Sequence, residues 1–411
     1  MTEINIYCYV VFILLSITVQ VKSQICKNAA QYDRCSTNSA CGCFSRVGTN
    51  GDSGVCGFLW PTCSSLVPCN TSDNSCAQSN TVCVQHPRCH DLPLCYPVTM
   101  SKQNICPPTI NKINSKWKQH GITVAGGNQY GDQSNQLNTP TGIYIDDNEA
   151  ILIADTGNNR IVEWKYNSNS GENIAGSNDD GDRPDRLFMP TDVTVDKQKN
   201  AIIICDSENA RVMRWFRQSQ TNPQILISHI ACGGVALDKD GSLYVSDKKR
   251  SEVKRWKQGD IDGTLVAGGS GEGNLPNQLQ GPSKIFVDAD YSIYVADTNN
   301  HRITKWKKDA KEGIIVAGGN GQGDSLNQLF HPQGLIVDKL GQIFIADTVN
   351  HRVMRWYEED TNGSIVVGGN GKGKEPNQLH YPQDLSFDVQ GNLYVADSAN
   401  HRIQKYELYI E

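Results

Sequence analysis

Beyond its first two dozen residues the sequence has no apolar run long enough to cross a membrane, so no spanning helix is expected there. It also lacks a basic excess: 38 Lys and Arg stand against 44 Asp and Glu, for a net charge of −6. A surface that tracks nucleic-acid phosphates needs a concentrated Lys/Arg field, so nucleic acid is excluded as a partner. No C-x2-C pair occurs, and Cys41 and Cys43 make only a C-x-C. Zinc ribbons and RING modules use that missing spacing, which counts against a zinc reading of His86 and His90 among Cys83, Cys89 and Cys95.

What is present begins with an apolar stretch from about Ile6 to Val19, too short to span a bilayer but suited to a secretory leader. Val21 and Ser23 fit the positions before a cleavage site, so residues 1–23 are expected to be a signal peptide and the protein to be secreted. Without Cys8, 14 of the 15 cysteines remain, and twelve of them fall between Cys26 and Cys106. An even, dense set behind a leader reads as a small disulfide-rich module over residues 24–106, of undetermined connectivity. "CPPTINKINSK" marks a linker over residues 107–116. Asn70 in "NTS" and Asn362 in "NGS" are expected glycosylation acceptors.

Alignment of the remainder against itself gives six copies of one unit. "TPTGIYID", "MPTDVTVD", "ACGGVALD", "GPSKIFVD", "HPQGLIVD" and "YPQDLSFD" share a proline slot at Pro140, Pro190, Cys232, Pro282, Pro332 and Pro382. The intervals are 50, 42, 50, 50 and 50 residues. Each copy holds four short strand signals, as in "KIFVD", "SIYVADT", "HRITKWK" and "GIIVAGG", bounded by Gly, Asp or Asn. Six such units predict an all-β, six-bladed propeller of four-stranded antiparallel blades over residues 117–411. The last copy ends after its third strand, and an orphan "GITVAGG" at 121–127 precedes the first. That segment is expected to supply the missing strand and close the ring.

"LYVADSANHRI", beside a Pro-x-Gly/Asp-hydrophobic-x-hydrophobic-Asp segment, resembles the NHL repeat. The resemblance runs from about Trp117 to Glu411 and implies a propeller of the kind that commonly binds partners. The N-terminal module resembles no family we can name.

The recurring Asp-x-x-Asn-x-Arg segment places Asp155 with Arg160, Asp206 with Arg211, Asp297 with Arg302, Asp347 with Arg352, and Asp397 with Arg402. A catalytic site does not need five copies, whereas a repeated turn does, so these residues are read as structural, the Arg pairing back onto the Asp. The third copy departs: Asp247 stays, but Arg250 takes the Asn slot and Glu252 the Arg slot, following the one short interval. His301, His351 and His401 recur at 50-residue spacing. On a ring with strands about 4.8 Å apart they would stand more than ~10 Å from one another, too far to share a zinc ion. His229, His331 and His380, beside the innermost strands, are the weak candidates for a channel metal, with zinc or calcium as the cofactor. Trp164, Trp215, Trp256, Trp306, Trp356 and Tyr406 share one slot and are assigned to packing between blades. Cys205 and Cys232, on neighbouring blades, are expected to be bridged.

The Gly-rich loops "GGNQYGDQSNQL", "GGSGEGNLPNQL", "GGNGQGDSLNQL" and "GGNGKGKEPNQL" are expected on the same face as the Asp/Arg turns. That face, with Asn128, Asn320, Asn370, Lys248, Lys249 and Arg250, is the candidate binding surface. The function expected is that of a secreted binding or scaffold protein taking an extracellular protein or small ligand. The alternative is a metal-dependent enzyme in the channel, similar to peptidyl-hydroxyglycine amidating lyases or lactonases. Relatives that bind RNA or carry a RING module for ubiquitin transfer are the less favoured comparison.

Overall fold

The computed structural model describes residues 25–27, 41–46, 53–58, 66–79, 81–87, 89, 91–97, 116–177, 181–217 and 222–409. The expected leader, and all of the expected linker except Lys116, lie outside the described residues. The chain divides into two units, residues 1–113 and 114–411.

In the first unit, Ile25–Lys27, Ser53–Phe58 and Cys41–Ser45 form one three-stranded sheet, and Val67–Pro68, Leu94–Pro97 and Thr81–Val84 form another. So small a unit buries little apolar surface. Its centre is Phe44, Val84 and Tyr96, with the His86 ring packed 4.9 Å from that of Phe44. Disulfides Cys69–Cys83 and Cys76–Cys95 tie the second sheet and its loops, and Cys43 and Cys89 are also oxidised. The sulfurs of Cys69, Cys76 and Cys95 lie close together because they belong to these bridges.

The second unit is the six-bladed propeller. The blades are Pro140–Ile145, Ile151–Asp155, Arg160–Trp164 and Glu172–Gly176; Pro190–Asp196, Ala201–Asp206, Arg211–Phe216 and Gln224–Ser228; Cys232–Leu237, Leu243–Asp247, Glu252–Trp256 and Thr264–Gly268; Pro282–Val287, Ile293–Asp297, Arg302–Trp306 and Ile314–Gly318; Pro332–Val337, Gln342–Asp347, Arg352–Tyr357 and Ser364–Gly368; and Pro382–Phe387, Leu393–Asp397 and Arg402–Tyr406. The first strand of each blade touches the first strands of both neighbours, and the sixth returns to the first, so these strands form the inner ring. Ile122–Gly126 pairs antiparallel with Arg402–Tyr406, Ile403 opposite Ala125, and completes blade six as expected. A short ladder of Lys116–Trp117 with Leu408–Tyr409 continues the clasp. Lys116 therefore belongs to the propeller rather than to a linker.

The second strands carry the core. Ile151–Asp155, Leu243–Asp247, Ile293–Asp297 and Leu393–Asp397 are buried at every position, as an apolar strand sandwiched between sheets must be. Trp164, Trp306, Trp356 and Tyr406 fill the space between blades with 3% exposure or less, while Trp215 and Trp256 are half-buried. The aspartate that ends each first strand caps the following turn; Asp146, for example, accepts from the N–H groups of Asn148 and Ala150.

Candidate functional site

The Asp/Arg turn and the Gly-rich loop meet on one face, and hydrogen bonds show why both recur. Asp155 Oδ2 accepts from Arg160 Nε at 2.8 Å and from Asn158 Nδ2 at 2.7 Å, while Oδ1 accepts from the backbone N–H of Asn138 at 2.6 Å. Arg160 then reaches past its own hairpin to the carbonyls of Asp132, Gln133 and Gln136 in the preceding loop. Asn158 donates to Gly131 O in the same loop. Arg211, Arg302, Arg352 and Arg402 repeat this clamp on residues 182–186, 274–278, 324–328 and 374–378. The five aspartates are fully buried, and burial raises the carboxyl pKa of Asp155, Asp297, Asp347 and Asp397, opposed by these hydrogen bonds and the guanidinium charge. The five-residue spacing of Asp and Arg makes their pair legible in the sequence, whereas the clamp on the preceding loop has no such signal.

Blade three is the exception that explains the rule. Its Arg slot holds Glu252, and the loop that such an Arg would clamp is the one the sequence omits, between Ser228 and Cys232. Arg250 instead bonds Asp247 Oδ2 and His229 O, with its side chain 55% exposed.

The recurring histidines are not passengers of the turn. His301, His351 and His401 adopt left-handed backbone with φ of 53–55°, and each Nδ1 accepts a backbone N–H from the following blade. The partners are His331 at 3.2 Å, Tyr381 at 3.2 Å and Thr139 at 3.1 Å. Asn159 does the same in blade one, its Oδ1 accepting from Met189 N at 2.9 Å. Burial lowers the pKa of all three histidines, which suits an unprotonated acceptor nitrogen.

His331 and His380 pack edge-on against His301 and His351, at 4.8 and 5.6 Å between ring centroids. His229 lies exposed beside Ser228. Among the described residues, these three do not converge with one another. The Asn128, Asn320 and Asn370 amides donate to the carbonyls of Asn135, Asn327 and Asn377 within their own loops. Lys249 and Arg250 are exposed at the rim, but Lys248 turns inward. Asn70 and Asn362 are exposed in turns, and Ser72 Oγ donates to Asn70 Oδ1 at 2.8 Å. Cys205 and Cys232 are joined by a disulfide.

The axis holds a constellation that no single motif announced. Two residues after each proline slot stand Gly142, Asp192, Gly234, Lys284, Gly334 and Asp384, glycine alternating with charge around the ring. Lys284 Nζ lies between Asp192 Oδ1 at 2.6 Å and Asp384 Oδ2 at 2.7 Å. Val235 N–H also donates to Asp192 and Ile143 N–H to Asp384. The glycines let the inner strands approach: a Cβ on Gly142 would stand 2.7 Å from Asp192 Cα, and one on Gly334 2.6 Å from Asp384 Cα. Burial opposes the Lys284 ammonium, but the two carboxylates outweigh it and raise its pKa. Burial pushes Asp384 up to about 6 against the pull of Lys284. Above this triad lies a cup of about 50 Å³ lined by Thr141, Thr191, Lys248, Ser283, Gln333 and Gln383; on its far side an apolar cavity of about 200 Å³ is lined by Ile143, Val193, Val235, Ile285, Leu335 and Leu385.

This axis does not fit a divalent cation. The position between the two carboxylates is taken by an ammonium, and no histidine lines the cup. We derive no chemistry through a channel zinc or calcium.

The NHL repeat family matches residues 137–164 and 379–406, the first three strands of blades one and six together with the residues leading into them. Two of the six blades therefore carry recognisable NHL repeats. No curated protein matches the sequence. Among solved structures, the chain is similar to a structural genomics protein of unknown function from Bacteroides thetaiotaomicron, with TM-score 0.58 and 18% identity over 89% of this chain and 87% of that one. It is also similar to an auxiliary nutrient binding protein from the same organism, with TM-score 0.57 and 14% identity over 90% and 89%. A third, an auxiliary nutrient binding protein from Bacteroides ovatus, has TM-score 0.55 and 12% identity over 90% and 89%. At these identities the likeness is one of fold.

Proposed function

We propose that this is a secreted binding protein that presents the loop face of its NHL propeller to an extracellular protein or small ligand. The observation that carries the reading is the set of five Asp/Arg/Asn clamps. They fix the connecting loops from beneath and leave a preorganised ring of polar groups on one face. The structurally similar proteins named for nutrient binding favour the same class. Lys284 between its two carboxylates counts against the alternative of metal-dependent lyase or lactonase chemistry in the channel. Disulfides in both units, and the leader-like N-terminus, support secretion.

The test uses the full chain recovered from culture medium and a crosslinking capture from extracellular fluid. A Lys249→Glu/Arg250→Glu double variant on the loop face should lose captured partner at least tenfold, while a Lys308→Glu variant outside that face should not. Equal capture by all three overturns the assignment of the face.

A further inference from the structure

Lys248 stands where the other five blades carry Thr156, Ser207, Thr298, Thr348 and Ser398. Four of those hydroxyls donate to the carbonyl at the next blade's proline slot: Thr156 to Pro190 at 2.7 Å, Ser207 to Cys232 at 3.1 Å, Thr298 to Pro332 at 2.9 Å and Thr348 to Pro382 at 2.7 Å. A lysine there gives up that bond. It also needs space, and Gly233 provides it: a Cβ at Gly233 would lie 3.0 Å from Lys248 Cε. The ammonium is directed to the axial cup and makes no ion pair or side-chain hydrogen bond in the described structure. Burial lowers its pKa, with Glu208 and Asp192 opposing. The side chain is half-buried with no ion-pair partner, and the ring has no structural need for it, since Ser or Thr would bond the neighbouring blade.

The other groups in the cup narrow what the partner is. Asp192 and the Oδ2 atom of Asp384 are already met by Lys284 and by backbone N–H groups, while Asp384 Oδ1 is buried against Gly334 without a hydrogen-bond partner. The Thr141, Thr191 and Ser283 hydroxyls bond Thr191 O, Cys205 Sγ and Gln333 O. The side-chain amides of Gln333 and Gln383 have no such bond and stand half-buried at the rim. Two amides and one ammonium suit a flat, singly charged anion, whereas a dianion would be repelled by the carboxylates beneath. At about 10–15 Å³ per water of comparable volume, the 50 Å³ cup holds roughly three to five waters, the size of a carboxylate group and its nearest carbons.

We propose that the axial cup is a carboxylate-binding site, with Lys248 as the charged anchor and Gln333 and Gln383 as flanking donors. This rests on the loop-face binding reading and names the ligand chemistry of that face. The carboxylate can belong to a small organic acid or to the free C-terminus of a peptide.

Thermal unfolding of the full secreted chain at pH 7.5 distinguishes these, with sodium acetate compared with sodium chloride at equal ionic strength, and a short peptide compared with its C-terminal amide. A saturable rise in Tm with acetate but not chloride is expected, or one with the free-acid peptide but not its amide if the source is a chain end. Lys248→Thr, which restores the residue type of the other blades, should keep the fold and weaken either response at least tenfold. Gln383→Leu should weaken it severalfold. A response equal for acetate and chloride and for peptide and amide, or one that survives Lys248→Thr, overturns the proposal. If Lys249→Glu/Arg250→Glu abolishes partner capture while acetate binding persists, the cup is distinct from the partner site, and the converse result separates the two failures in the other direction.

Discussion

At the scale of single residues, the propeller depends on charges placed where water cannot reach them. Asp347 is fully buried and receives Arg352, Asn350 and the Phe330 N–H, so it serves a turn, a strand pair and a loop at once. Replacing it with Ala leaves the Arg352 guanidinium buried without its partner, a situation that costs about 3–5 kcal/mol. We expect Asp347→Ala to lose stability on that scale in urea unfolding, whereas Arg250→Ala, whose side chain is 55% exposed, should change it by less than about 1 kcal/mol. The histidine latches give a pH dependence with a definite sign. Their folded pKa values lie below the ordinary 6.5, so the unfolded chain binds protons first as pH falls. Their contribution is complete above about pH 6.5 and is lost as pH drops from there through the lower folded values. A His301→Asn/His351→Asn/His401→Asn variant, which copies the latch that Asn159 already makes, should have a smaller fall in urea midpoint between pH 7.5 and pH 5 than the parent. An unchanged fall would show that the latches do not titrate.

At the scale of elements, each connecting loop and the arginine beneath it form one unit. The short connection between Ser228 and Cys232 has no clamp because there is nothing to clamp, and Glu252 occupies the vacated position. Grafting "NGQGDSLN" into that connection should give a loop that proteases cut readily. Adding Glu252→Arg to the graft should protect it severalfold in a timed digest, by supplying the missing donors. No difference between graft and graft plus Arg would mean the clamp does not order the loop. This coupling also shows what was legible beforehand. The strands, their number and the closing segment at residues 122–126 could be read because a 50-residue period and a proline slot repeat. Asp155 with Arg160 could be paired because they sit five residues apart, but Arg160 with Asp132 could not, because that bond spans a loop of no fixed shape in sequence. The axial triad was hidden for a related reason. Asp192, Lys284 and Asp384 are 92 and 100 residues apart, and only comparison of one column across the six copies shows glycine alternating with charge.

At the scale of the whole molecule, the ring is a chain of nearest-neighbour contacts that must return to its start. Blade six is completed by residues from both ends of the propeller, and Ala125 of the closing strand is 2% exposed among Ile143, Ile153 and Ile403. A charge there has no partner, so Ala125→Asp should release the strand and leave Arg402–Tyr406 as an open edge. We expect a lower urea midpoint and a concentration-dependent shift to larger species in size-exclusion chromatography. A variant that keeps the parental elution volume and midpoint would place ring stability elsewhere.

The same clasp sets how the molecule answers tension. Lys405 faces Ile122 at one end of the closing ladder, and Arg402 faces Gly126 at the other. The chain leaves both strands at the Ile122–Lys405 end, towards Trp117 on one side and Leu408 on the other. A pull between the N-terminal side of the ring and its C-terminus therefore peels the ladder from that end, one bond at a time, instead of shearing all its bonds together. The short Trp117–Leu408 pairing breaks first, and with it the Trp117 indole bond to Gly391 O. Under load the ring opens like a zip at its own seam.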